Sequence, residues 1–173
     1  MSPQELVNCD KETGNKGCDG GLAANSLKYI QKNGLVDEKC MPYKALDGPC
    51  PNKCADGRDW KAAHVCAPKK LVDCGLLPNM IKCLKTGPIT TRMIVYNDFF
   101  NYKSGIYCWD QKSGQAGGHA IRCVGYDTNP QPHFTCANSW GVNWGEKGFF
   151  RIAAKEGCGI RLTVHDAWAA DEY

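Results

Sequence analysis

Cysteine content is the strongest constraint on how this chain folds. Twelve of its 173 residues are cysteine, about 7%, which exceeds the usage of cytosolic enzymes and predicts disulfides formed in an oxidising compartment. Nineteen glycines and nine prolines indicate a loop-rich fold, while 43% hydrophobic residues suffice for a packed core. The sequence therefore predicts a compact, disulfide-stapled protein and not a disordered chain.

Charge and hydropathy argue against two classes of partner. The formal net charge is +3, from 21 basic and 18 acidic residues, and the basic residues are scattered instead of forming the stripe that nucleic-acid binding needs. A run of 18 apolar residues, the length that predicts a membrane span, does not occur in this sequence. We expect a monomer that binds neither nucleic acid nor a membrane.

Periodicity divides the chain into two parts. Residues 21–33 predict a helix that ends at Gly34, and residues 77–85 predict a second helix that stops before Gly87. Beyond about residue 57 strands predominate, and we expect them over 89–96, 119–126, 133–138, 148–153 and 162–167. The expected class is α+β, with a helical, disulfide-rich part over 1–56 and an antiparallel, barrel-like β domain over 57–173.

His119 and Asn138 form a candidate catalytic pair. They lie in neighbouring strand-like stretches, so their side chains can meet although 19 positions separate them. A cysteine nucleophile needs such a pair, because a thiol titrates at about 8.5 and must give its proton to an imidazole whose ring a third group orients. Trp140 would shield that hydrogen bond from water. The alternative is a core histidine beside an ordinary Asn-Ser turn.

Several short motifs follow one another along the chain in a fixed order. They lie at 2–10, 17–21, 34–36, 40–43, 96–107, 117–122, 137–141, 148–152 and 158–160. In order and spacing these motifs resemble the papain family of cysteine proteases, and within it the cathepsin B group. The resemblance implies a two-domain papain-like fold, with a partial left domain over 1–56 and a right β-barrel domain over 57–173 that carries His119 and Asn138.

The resemblance also implies a reaction, the hydrolysis of peptide bonds through a Cys-His-Asn mechanism without a cofactor. The family's nucleophile lies in a Cys-x-Ser-Cys-Trp segment, which does not occur in these 173 residues. We expect that segment upstream of Ser2, together with a glutamine that donates to the oxyanion hole. The chain as given would then be an inactive part of a protease. The alternative is a non-catalytic homologue that binds peptides or a partner protein.

The resemblance assigns a set of substrate-binding residues: Gly20, Gly21, Leu22, Ala23, Gly118, Ala120, Trp140 and Thr163. Gly20 and Gly21 would pair with an extended substrate, although they serve equally well as turn residues. Thr163 stands where cathepsin B has a glutamate at the floor of the pocket for the second residue before the scissile bond. An uncharged floor predicts a preference for apolar side chains.

Two disulfides are implied by the resemblance, Cys9 with Cys50 and Cys40 with Cys54. Its pairing pattern leaves Cys18 as an unpaired thiol. Only nine residues separate Cys40 from Cys50, so the insertion that caps the cleft of cathepsin B is missing. We therefore expect endopeptidase behaviour instead of dipeptide release.

The other cysteines allow several interpretations. Cys123 and Cys136 lie in apolar strands and are expected to be small buried hydrophobes. Extra disulfides are expected for Cys66, Cys74 and Cys108, with partners that sequence does not fix. A zinc site would be an alternative for Cys50, Cys54, Cys66 and His64, but the oxidising composition argues against it, and we expect no metal.

The family resemblance finally implies partners and a compartment. The expected partners are a peptide or protein substrate and an inhibitory propeptide or cystatin-like inhibitor. The expected location is a lysosome or vacuole, or outside the cell.

Overall fold

Three α-helices and seven strands form the regular structure of the described residues. The structure is a computed structural model that describes residues 1–65, 68–160, 162 and 167–171. The helices are α1 (Pro3–Cys9), α2 (Ala23–Asn33) and α3 (Leu77–Leu84). The strands are β1 (Lys70–Asp73), β2 (Ile89–Tyr96), β3 (Ile106–Tyr107), β4 (Gln115–Asp127), β5 (His133–Ala137), β6 (Phe149–Ala153) and β7 (Trp168–Asp171).

The chain forms two compact units, each with its own core. The first comprises Met1–Leu71 with Ala170 and Asp171, and the second comprises Val72–Ala169. The first unit includes residues 57–65 together with residues 1–56. The reason is a bridge in which Leu35 and Val65 exchange backbone hydrogen bonds of 2.9 and 3.0 Å, which ties the segment after residue 56 to the first unit.

The helices of the first unit begin and end at residues suited to those positions. Ser2 caps α1, since its hydroxyl accepts a hydrogen bond from the Glu5 amide at 3.3 Å. Helix α2 begins at Ala23, two residues later than predicted, and ends at Gly34 as predicted. Gly34 adopts a φ of +74°, and a Cβ there would lie 2.9 Å from the Val65 carbonyl oxygen, so only glycine fits.

A buried carboxylate ties the first unit together. Glu5 is fully buried, and its Oε2 accepts the Val36 amide at 2.7 Å while its Oε1 accepts the Tyr29 hydroxyl at 3.0 Å. Burial and the neighbouring Glu5 charge raise the pKa of the Tyr29 phenol, so its hydroxyl stays protonated and donates. His64 lies with Nε2 2.8 Å from Glu5 Oε1 and Nδ1 2.7 Å from the Trp60 carbonyl.

Both ring nitrogens of His64 lie within hydrogen-bond distance of oxygen atoms that accept hydrogen bonds. Nδ1 must donate to the Trp60 carbonyl, which has no proton of its own. The 2.8 Å contact between Nε2 and Glu5 therefore also needs a proton, carried either by the ring or by the carboxyl group. Both ring nitrogens of His64 are therefore engaged in contacts within the first unit, with the Trp60 carbonyl and with Glu5.

The second unit is built on one seven-stranded sheet in the order β1-β7-β2-β4-β5-β6-β3. The β2–β4, β2–β7, β4–β5 and β5–β6 pairs are antiparallel, as predicted, whereas β3 pairs with β6 in parallel. Strand β2 has the predicted bounds, because its alternate residues Ile89, Thr91, Met93 and Val95 all face the core. The predicted strand 162–167 lies mostly outside the described residues.

Four disulfides join described cysteines: Cys9–Cys50, Cys40–Cys54, Cys74–Cys83 and Cys108–Cys158. The first two are the pairs that the resemblance implies. Because Cys50 and Cys54 are oxidised, they do not offer thiolates to zinc. Cys66 lies outside the described residues.

Within the described ranges, no helix combines the length and hydrophobicity needed to cross a bilayer.

Candidate active site

Two neighbouring strands bring His119 and Asn138 together. His119 lies within β4, which begins four residues before the predicted start, and Asn138 follows the last residue of β5. The register pairs Arg122 with Ala137, which sets the end of β5 beside the middle of β4. The backbone N–H of Asn138 donates to the backbone carbonyl of Gly148 at 2.9 Å. This main-chain hydrogen bond holds the turn after β5 in place.

A hydrogen bond of 2.8 Å joins His119 Nε2 to Asn138 Oδ1. The same oxygen accepts the Ser139 amide at 2.8 Å, which fixes which end of the Asn138 side chain faces the ring. Because Oδ1 accepts, Nε2 must carry the proton, and in the neutral ring Nδ1 is left with the lone pair. The geometry thus presents an imidazole that can accept a proton at Nδ1.

Trp140 lies against this pair. Its ring centroid is 5.1 Å from that of His119, and it stacks on Phe100 at 5.2 Å with an interplanar angle of 17°. It also meets Trp144 edge-on at 5.0 Å, and the Trp144 indole donates to the Phe100 carbonyl at 3.1 Å. This aromatic packing holds Trp140 over the histidine, where an apolar ring excludes water from the hydrogen bond.

Asn138 carries an unusual buried polar atom. Its Nδ2 is buried and finds no hydrogen-bond partner among the described residues. An unsatisfied buried donor costs about 1–3 kcal/mol.

The other predicted substrate-binding residues fall into three groups. Gly118 and Ala120 lie on β4 on either side of His119 and are exposed, and Ala120 and Asn138 line a shallow depression of about 370 Å³. Residues 20–23 belong to the first unit, where Gly20 has a φ of +99° that the turn itself requires, and Leu22 is 50% exposed. Thr163 lies outside the described residues.

The described free cysteines do not resemble a nucleophile. Cys123 and Cys136 are completely buried, face each other across β4 and β5, and pack in the core as predicted. Burial raises the pKa of the Cys136 thiol. Cys18 is exposed and unpaired, as the resemblance implies, but a hydrogen bond with the Asp47 carboxylate raises its pKa and disfavours the thiolate.

These environments predict how the thiols react. With a maleimide on the native chain, we expect Cys18 to be modified first, and Cys123 and Cys136 to stay unmodified until the chain is unfolded. The Asp47→Asn variant removes the carboxylate and is expected to speed modification of Cys18. Peptide mapping after timed labelling measures both effects. Rapid native labelling of Cys123 or Cys136 would contradict the assigned core.

Comparison with known proteins decides the family. A family model described as papain family cysteine protease matches residues 1–167. The chain belongs to the papain family of cysteine proteases. Its α+β fold, with three helices and a mostly antiparallel sheet, agrees with that membership. Within the papain family the chain is similar to proteins described as cathepsin B-like.

Three relatives illustrate this similarity. The Giardia intestinalis proteins described as Cathepsin B-like CP3 and CP2 are 41% and 40% identical, over 94% and 87% of this chain and 56% and 51% of their own lengths. A Gut-specific cysteine proteinase of Caenorhabditis elegans is 32% identical, over 95% of this chain and 56% of its own length. The chain therefore spans about half the length of the papain-family relatives it matches.

Two residues that the sequence analysis did not single out, Phe100 and Arg92, have neighbours among the residues of this papain-family site. Phe100 stacks on Trp140, and the aromatic run around it was the available signal. Arg92 lies opposite Ala120 in the register of β2 and β4. The alternation of β2 predicts that Arg92 points away from the core, but only the register shows which residue of β4 it meets.

Proposed function

We propose that this chain is the histidine- and asparagine-bearing part of a cathepsin B-like cysteine endopeptidase. The observation that carries the proposal is the 2.8 Å hydrogen bond from His119 Nε2 to Asn138 Oδ1, beneath Trp140. That bond leaves Nδ1 of the neutral ring as the proton acceptor, which is what activation of a thiol requires. Membership of the papain family makes a thiol the expected nucleophile.

In the proposed reaction His119 accepts and returns one proton in each of two half-reactions. Its Nδ1 takes the thiol proton, and the thiolate forms a C–S bond with the carbonyl carbon of the peptide. As the peptide C–N bond breaks, His119 returns the proton to the departing amine. Water, deprotonated by the same nitrogen, then forms a C–O bond with the thioester carbonyl carbon, the C–S bond breaks, and His119 returns this proton to the departing sulfur. Asn138 holds the ring in one tautomer and stabilises the imidazolium that forms in between.

We propose that the nucleophile belongs to a part of the protein outside these 173 residues. Among described cysteines, eight are in disulfides, two are in the core, and Cys18 is a poor thiolate. The relatives are about twice as long as the matched segment, which leaves room for a further segment with the nucleophile.

The cleavage mode follows from the disulfide-bonded loop. Between Cys40 and Cys50 the chain has nine residues, which leave no space for an insertion that would cap a cleft. We therefore propose internal cleavage of peptides. The proposed partners are a peptide or protein substrate and an inhibitory propeptide or cystatin-like protein. The four disulfides support a lysosomal or secreted location.

The test compares the isolated chain with a longer protein that includes its natural upstream sequence. The substrate is an internally quenched peptide with an amidated C-terminus, which an enzyme releasing C-terminal dipeptides does not accept. We expect cleavage by the longer protein and none by residues 1–173 alone. Cleavage by the isolated chain would refute a nucleophile from outside it. A longer protein that binds peptides without cleaving them would instead support the non-catalytic alternative.

A further inference from the structure

Two cysteine thiols lie in contact in the core of the second unit. Cys123 on β4 and Cys136 on β5 are directly opposite in the antiparallel register, and both are completely buried. Burial, followed by a hydrogen bond with the Cys123 thiol, raises the pKa of the Cys136 thiol. Because the hydrogen bond joins the two sulfur atoms directly, the pair is a buried dithiol and not two separate core residues.

The strand geometry at this dithiol suits a disulfide. Directly opposite residues of antiparallel strands have Cα atoms about 4.5 or 5.5 Å apart, depending on whether they exchange backbone hydrogen bonds. Disulfides usually join Cα atoms about 4.4–6.8 Å apart, and the four described disulfides of this chain have Cα separations of 4.8, 4.3, 6.1 and 4.3 Å. Both cross-strand separations lie within that range, so a bond between the two sulfurs keeps the strand pairing as it is.

We propose that Cys123 and Cys136 are the site of a fifth disulfide, a cross-strand bond that a low-molecular-weight disulfide such as oxidised glutathione generates. The structure shows the pair in its dithiol form. Eight other described cysteines are paired, and such a chain folds where an oxidant of thiols is present. Cys123 lies four residues after His119, and Cys136 lies two residues before Asn138. The bond therefore ties together the two strands that position the candidate catalytic pair.

Two exchange steps form the bond. One cysteine, as its thiolate, attacks a sulfur of oxidised glutathione, which gives a mixed disulfide and releases a glutathione thiolate that takes up the cysteine's proton. The second cysteine then attacks the cysteine sulfur of the mixed disulfide, and its proton leaves with the second glutathione. Two cysteine thiols are oxidised and one glutathione disulfide is reduced. Because both sulfurs are buried in the folded unit, the oxidant reaches them while β4 and β5 are apart, during folding or transient opening.

A single tryptic peptide reports the state of the pair. Trypsin cuts after Arg122 and Lys147, and the segment between these residues has no other lysine or arginine, so residues 123–147 form one peptide with both cysteines. The longer protein is produced by secretion, which exposes it to glutathione in an oxidising compartment, and is alkylated with iodoacetamide in denaturant. We expect the peptide to carry no alkyl group and to be lighter than the dithiol peptide by the two hydrogens that oxidation removes. The dithiol form would instead take up two alkyl groups.

The Cys74–Cys83 disulfide of the same sample is the internal control, since its resistance to alkylation shows that an oxidant was present. Two alkyl groups on the wild-type peptide beside an intact Cys74–Cys83 bond would overturn the inference. So would a glutathione adduct on Cys123 or Cys136, or a bond from either to any other cysteine. The readout is independent of peptidase activity, so the proposed function and this inference can fail separately.

Thermal unfolding of cysteine variants tests whether the bond holds the strands together. Cys123→Ala and Cys136→Ala should each lower the Tm by about 5–10 °C, because each variant removes the same covalent link. The double variant should lose nearly the same amount as either single variant, since only one bond is there to be lost. Circular dichroism of the longer protein measures the three values. Losses that add up in the double variant would indicate two independent core contacts and would overturn the bond, and the peptide masses of the wild type decide the question if a variant is not secreted.

Discussion

Replacing His119 with alanine is expected to reduce the kcat/KM of the longer protein by about 10⁴-fold or more. The substitution removes the group proposed to take the thiol proton and to return it to the departing amine, and removing one member of such a set costs nearly as much as removing all of it. Asn138→Ala should cost less, about 10²-fold, because the ring remains but loses its fixed orientation and tautomer. Initial rates with the quenched peptide measure both variants.

The control for these variants is a thermal unfolding measurement, which shows whether each variant is folded. His119 and Asn138 lie at the site and are only partly buried, so we expect both variants to unfold at nearly the wild-type temperature. A variant that is inactive because it is unfolded would show a lower midpoint temperature of thermal unfolding. Retention of more than about a tenth of the wild-type activity by folded His119→Ala would show that another group is the base.

His64→Ala is expected to lower the free energy of unfolding of the first unit by about 3–5 kcal/mol. The side chain of Glu5 is 0% exposed and that of His64 13%, and their atoms are 2.8 Å apart. Without the imidazole, Glu5 keeps the Tyr29 hydroxyl and the Val36 amide but loses the proton or positive charge that balances its burial. Denaturant unfolding of residues 1–173, followed by fluorescence, measures the change.

An exposed ion pair in the same unit supplies the matched control. Lys32 and Glu12 are 2.9 Å apart, but their side chains are 65% and 52% exposed. Lys32→Ala should therefore cost much less than His64→Ala, because solvent screens an exposed ion pair. In a Glu5→Gln background the penalty of His64→Ala should shrink, because no charge is left unpaired. A loss below 1 kcal/mol for His64→Ala alone would contradict the buried-pair account.

The parts of the fold that depend on the sequence pattern of neighbouring residues were predictable. The alternation of buried and partly buried residues in β2 depends only on neighbours along the chain, so its bounds were predicted as observed. The contact between His119 and Asn138 was also predicted, since the motifs place them on adjacent strands. Strands β1, β3 and β7 were missed, because each is at most four residues long and carries too little periodicity.

Contacts between distant parts of the chain were not predictable. Glu5 and His64 are 59 residues apart, and neither residue signals that it is buried against the other. The Cys74–Cys83 and Cys108–Cys158 pairs depend in the same way on which elements meet. In each case the deciding interaction is tertiary.

The most direct test of the account is to find which cysteine of the longer protein reacts with a peptidyl epoxide, an electrophile that alkylates an activated thiol. We expect a single adduct, located by mass spectrometry on a cysteine outside these 173 residues, and strongly slowed labelling in the His119→Ala variant. An adduct on Cys18, Cys123 or Cys136, or labelling at the same rate without His119, would contradict the assignment of this chain as the histidine- and asparagine-bearing part of a cysteine protease site.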